Sequence, residues 1–165
     1  MRQAQKLKEW RENRDAYFIR RGDIDAPLDY FPWSKDFYVR ATFSPELEDV
    51  LMETTKGDRP MQKTGTLSFT LKGTQCSLPI YGSFIPFRDQ SAEVYKGGRY
   101  IDLKNPVVDN KVFLDFNRAY NPLCVYSPRY DCPIVPLEST LPVEVEAGEK
   151  VYVKKESYEY TGATN

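Results

Sequence analysis

The stretch Thr66-Leu67-Ser68-Phe69-Thr70-Leu71 alternates polar and apolar side chains without a break. A period of two is the repeat of a strand with one face on a core and the other in water, and it does not suit a helix. Lys72-Gly73-Thr74 supplies turn residues, and Cys76, Leu78 and Ile80 then resume the alternation. Residues 66–80 therefore predict a β-hairpin with one buried face.

The rest of the chain adds one helix and more short strands. In residues 2–21, Leu7, Trp10, Arg14, Tyr17 and Phe18 recur at helical spacings with charges around them. Gly22 follows in the position that left-handed helix caps favour. Strands are predicted over Asp36–Phe43, Tyr95–Leu103 and Lys111–Phe116. Ser44-Pro45-Glu46 reads as a turn or helical start, and Lys56-Gly57-Asp58 as a loop. Five X-Pro pairs between residues 117 and 142 leave no room there for long elements. Val143, Val145, Val151 and Val153 mark two last short strands around Ala147-Gly148-Glu149. The prediction is a mainly β (α+β) domain, an antiparallel β-barrel or sandwich-like fold closed by an N-terminal amphipathic helix. Its divisions are helix 1–22, β-rich domain 23–154 and polar tail 155–165.

Composition removes whole classes of function. The 165 residues suit a single domain, and nine Phe, twelve Tyr and two Trp exclude disorder for most of it. There is no histidine, which rules out imidazole catalysis and histidine metal ligands. Residues 1–21 carry seven Lys/Arg against three acids, and residues 22–58 carry three against nine. A basic helix followed at once by an acidic segment is not the stripe of a nucleic-acid binder. No apolar run approaches the ~20 residues of a membrane helix. The charged start, MRQAQKLKEW, lacks a signal peptide's apolar stretch and points to the cytoplasm. The three cysteines, Cys76, Cys124 and Cys132, read as thiols rather than a disulfide framework. Cys124 and Cys132 are spaced too widely for a zinc half-site, yet their short Pro-rich loop predicts that they lie close together. No dinucleotide, Walker or nucleophile-elbow motif is present, so no cofactor and no metal are expected.

Polar residues collect in F-I-P-F-R-D (84–89), E-V-Y-K-G-G-R-Y-I-D-L (93–103) and D-F-N-R-A-Y-N-P (115–122), set between large aromatics. Arg88 and Arg99 supply fixed cations for Asp89, Glu93 and Asp115. Asp115 and Asn117, two apart at a strand end, share a face. The turn at Asn121-Pro122 brings Tyr120 or Asn121 back across that end, which predicts one constellation of Asp115, Asn117 and Arg99. These groups either satisfy the backbone of the Pro-rich loop or converge on a pocket for a polar or anionic ligand. An EF-hand is rejected, because Tyr120 and Tyr126 stand where its Gly and terminal Glu are required.

These same segments, continued by Y-D-C-P-I-V-P-L-E and A-G-E-K, resemble an uncharacterised prokaryotic family, domain of unknown function 1684, over about residues 7–152. The resemblance implies a compact, mostly β domain with an N-terminal helix and brings no catalytic residues. Some members carry export signals, which keeps a cell-envelope location open. The segment Asp89–Glu93 is shorter than the family turn, and Ser139 replaces the usual Asn.

The functional expectation is a small binding or accessory domain for a polar small molecule or peptide. It would act through Arg88, Asp89, Glu93, Arg99, Asp115, Asn117, Tyr120 and Asn121. One alternative is a carboxylate-dependent hydrolase working through Asp89, Glu93 or Asp115, with Glu149 also available. The other is a structural or protein-interaction domain using the acidic segment 22–58. Oligomeric state is left open.

Overall fold

The computed structural model describes residues 2–154. Helix α1 (Arg2–Arg20) ends as expected: Gly22 takes φ 74° and donates to Ile19, and Asp23 donates to Phe18. This crossed pair satisfies the last carbonyls of the helix. Leu7 and Phe18 are the buried anchors. Trp10, expected inside, is only half-buried, with the guanidiniums of Arg14 and Arg118 each 5.3 Å from its ring. Cations over the ring face make a partly wet indole tolerable there. No helix among the described residues is long and apolar enough to cross a membrane.

Six strands follow among the described residues: β1 (Tyr38–Thr54), β2 (Gly57–Leu71), β3 (Thr74–Ile80), β4 (Phe84–Phe87), β5 (Arg99–Asp102) and β6 (Lys111–Asp115). The main antiparallel sheet has the order β3-β2-β1-β6, and β4-β5 form a second, two-stranded sheet. The sheets do not close into a barrel, so the sandwich-like alternative is the correct one. The predicted hairpin is β2–β3, with Leu67, Phe69 and Leu71 facing Leu78 and Cys76 across the core side. Phe87, Ile101, Leu114 and Phe116 complete the core from the other elements.

Two expectations fail for physical reasons. Ser44-Pro45-Glu46 is not a turn but part of the outer arm of β1, which pairs with β2 as far as Thr54↔Gly57, and the loop expected at 56–58 shrinks to the turn Thr55-Lys56. From Ser44 to Asp49 every residue is exposed, so no burial alternation marks the arm. Pro45 is accommodated at the bulge where the pairing shifts between Pro45 and Glu48. At the other end, residues 143–153 form no strands. Their backbone groups pair partly with buried side chains and partly with scattered backbone groups, as Glu149 N–H does with Ala119 O (2.9 Å) and Lys150 N–H with Asp29 O (2.9 Å), instead of with a ladder.

The Pro-rich loop is tied to the tip of the β1–β2 arm. Thr55 N–H donates to Cys132 O (3.0 Å), and Ile134 N–H to Glu53 O (2.8 Å). Cys132 N–H donates to Thr55 Oγ1 (3.1 Å).

Candidate functional site

Arg99 opens β5 and is fully buried. Its Nη1 donates to the carbonyls of Ala147 (2.5 Å) and Glu149 (3.0 Å), and its Nη2 to Val145 O (2.9 Å) and Asp89 Oδ1 (3.2 Å). Asp89 Oδ2 accepts from Val145 N–H (2.7 Å), from Ser91 N–H (3.2 Å) and from the Ser91 hydroxyl. Burial lowers the Arg99 pKa while Asp89 opposes the shift, and a guanidinium remains charged through such a balance. The irregular segment 145–149 is thus held by one cation and one anion together with single backbone bonds from Phe31 N–H to Gly148 O and from Glu149 N–H to Ala119 O. Gly148 is required in it: φ is 76°, and a Cβ there would come within 2.7 Å of Ala119.

A second buried network centres on Glu149. Its Oε2 accepts from Arg14 Nη1 (2.9 Å) and Asn121 N–H (3.2 Å), and its Oε1 from Asn121 Nδ2 (3.0 Å). Arg14 also donates to the Tyr30 hydroxyl (3.2 Å), which itself donates to Asp15 (3.0 Å). Burial pushes the Glu149 carboxyl up to about 7, against the pull of Arg14, Asn121 and the more distant Arg99. Burial likewise raises Tyr30, partly countered by Arg14. The cluster joins helix α1 to the C-terminal segment.

Asp115 and Asn117 do come together, but through a cap rather than a shared strand face. Asp115 Oδ1 accepts from Asn117 N–H and Nδ2 (both 3.0 Å), capping the 3₁₀ turn Phe116–Arg118. Asn117 brackets Ser34, accepting from its N–H and donating to its carbonyl (both 2.9 Å). The predicted constellation with Arg99 does not form. Arg99 turns inward to segment 145–149, whereas Asp115 lies opposite Tyr38 at the end of β6, its cation being Arg118 at 3.7 Å.

The remaining candidates scatter. Tyr120 donates to Asp102 Oδ2 (3.0 Å), and Asn121 serves Glu149. Glu93 is exposed and paired with Lys150 (3.2 Å). Arg88 anchors the chain through its backbone, which bonds to Ser139 and Leu141. Arg14 and Glu149 are the residues sequence reasoning left out of the cluster. Arg14 on the inner face of an amphipathic helix was the available signal. Among the described residues no group of three or more Cys, Asp and Glu is placed to ligate a metal.

Asp115 and Asp102 face an accessible groove of about 280 Å³ between α1, β5 and β6, one of several concavities among the described residues. Lys6, Lys104 and Arg118 bring positive charge to it, Asp102 and Asp115 negative charge, and Phe113 an apolar wall. The Phe113 ring stacks on Tyr38 at 5.0 Å and 10°. Hydrogen bonds from Tyr120 and Asn117 orient the two carboxylates.

The fold is shared with the solution NMR structure of an uncharacterised protein from Haloarcula marismortui. That protein is 31% identical, with a TM-score of 0.66 over 88% of this chain and 92% of that one. No curated protein matches the chain. Residues 26–150, which hold Arg99, Asp89, Asn121 and Glu149, match the family described as protein of unknown function (DUF1684), and the chain belongs to that family.

Proposed function

We propose that the domain binds a polar small molecule carrying an anionic group in the groove between α1, β5 and β6. The supporting observation is that Asp115 and Asp102 line this groove with oriented oxygens beside three cationic side chains and an aromatic wall. Such a mixture suits a ligand with an acidic end, hydroxyl or amino groups for the carboxylates, and an apolar body. The other predicted residues support a scaffold role: Arg99, Asn117 and Asn121 are fully buried and hydrogen-bonded. The hydrolase alternative draws little from Asp89 and Glu93. The first is 2% exposed and already hydrogen-bonded at both oxygens; the second is an exposed partner of Lys150.

The test is a titration of the ¹⁵N-labelled chain with a panel of small carboxylates, phosphates and sugar phosphates. Shifts confined to residues around 101–105, 113–118 and the start of α1 are expected. They should weaken at least tenfold in Lys104→Gln/Arg118→Gln with the melting temperature held within a few degrees. Saturable binding centred elsewhere, or unchanged in the double variant, would refute the reading.

A further inference from the structure

Cys124 lies in the 3₁₀ turn Leu123–Val125, and Cys132 at the far end of the same loop, where it is bonded to the β1–β2 turn. Both are free thiols, Cys132 buried and Cys124 half-buried. The Cys124 N–H donates to Cys132 Sγ at 3.3 Å, which brings the second thiol against the backbone of the first. The intervening residues are pinned separately, since Arg129 pairs with the buried Asp23 at 2.6 Å. With Cys132 Sγ already 3.3 Å from the Cys124 backbone nitrogen, on segments with independent anchors, the two sulfurs need little rearrangement to be bridged.

We propose that Cys124 and Cys132 are the two halves of a structural disulfide that closes when the folded chain meets a disulfide-bearing oxidant, such as glutathione disulfide or a disulfide oxidoreductase. One cysteine, as its thiolate, attacks the oxidant's sulfur–sulfur bond, forming a mixed disulfide and releasing one thiol. The other cysteine, also as thiolate, attacks the protein sulfur of that mixed disulfide and releases the second thiol. The pair loses two protons and two electrons, and the oxidant is reduced to two thiols.

The surroundings favour a lasting staple over a switch. Burial and the neighbouring Cys132 push the Cys124 thiol up to about 11. A thiol of that kind attacks slowly at neutral pH and, once bonded, leaves slowly, so closing and reopening are both slow. Cys76 is an internal control, since it is buried on β3 and faces Phe69 across the β2–β3 ladder.

The full chain is incubated with a glutathione redox mixture, and its mass, thiol content and melting temperature are followed. The expected product is lighter by about 2 Da, and proteolysis without reductant links residues 124 and 132 while Cys76 remains alkylatable. Its melting temperature should rise by about 5–10 °C, from the short loop closed in a chain of this size. Cys76→Ser should close equally well, and Cys124→Ser should show no rise. Stable glutathione adducts in place of the crosslink, linkage through Cys76 or between molecules, or a crosslinked form that melts lower than the thiol form would each overturn the proposal.

Discussion

Two buried arginine–carboxylate pairs lie close together in this molecule, and they are built for different purposes. Arg99 makes four hydrogen bonds, three of them to carbonyls of segment 145–149, and its partner Asp89 accepts backbone and hydroxyl donors as well. That pair replaces strand pairing and holds an irregular chain against the core. Arg14 and Glu149 instead join two elements that are distant in sequence, α1 and the C-terminal segment. Their carboxyl titrates near neutrality because burial outweighs its donors. Dense bonding to backbone carbonyls makes a buried charge structural, whereas burial that outweighs its donors makes one responsive to pH.

The sharpest way to break the comparison is Arg99→Ala. It strands a buried carboxylate and leaves three carbonyls without donors, so we expect a loss of about 3–5 kcal/mol in urea unfolding. A loss below about 1 kcal/mol would show that packing and the remaining hydrogen bonds of segment 145–149 hold it without the cation.

The next effect distinguishes the second pair. Because the folded Glu149 carboxyl holds its proton more tightly than the ordinary 4.5, its contribution is fully present below about pH 4.5. That contribution is lost as pH rises through about 7. Stability should therefore fall by something on the order of 1–3 kcal/mol between pH 5 and 8. The slope should flatten in Glu149→Gln, even if that variant is less stable throughout. An unchanged slope in the variant would assign the titration to another group.

The smallest effect concerns Asp115, which belongs to neither pair. As a half-exposed cap it should cost about 1 kcal/mol when replaced by alanine. A loss several times larger would return it to the company of Arg99 and Asp89.

The β2–β3 hairpin was legible because one face is dry and the other wet, which writes the period of two into the residues. The Gly22 cap was legible because it is local. The outer arm of β1 and β2 was hidden by the same logic: exposed on both faces over Ser44–Asp49, it has no alternation to read. Asp115 and Asn117 were rightly joined by their spacing, although a 3₁₀ cap rather than a pleat joins them.

What the sequence determined by itself was the mainly β class and the helix with its terminus. These follow from patterns within a few residues of one another. The tertiary structure decided which charge meets which: Arg99 with Asp89 and segment 145–149, Arg14 with Glu149, Asp115 with the turn it caps. Pairing across 10 to 135 positions depends on where the loops return. A buried arginine will accept any carboxylate or carbonyl array brought to it, so residue type alone leaves the partner open until the chain is folded.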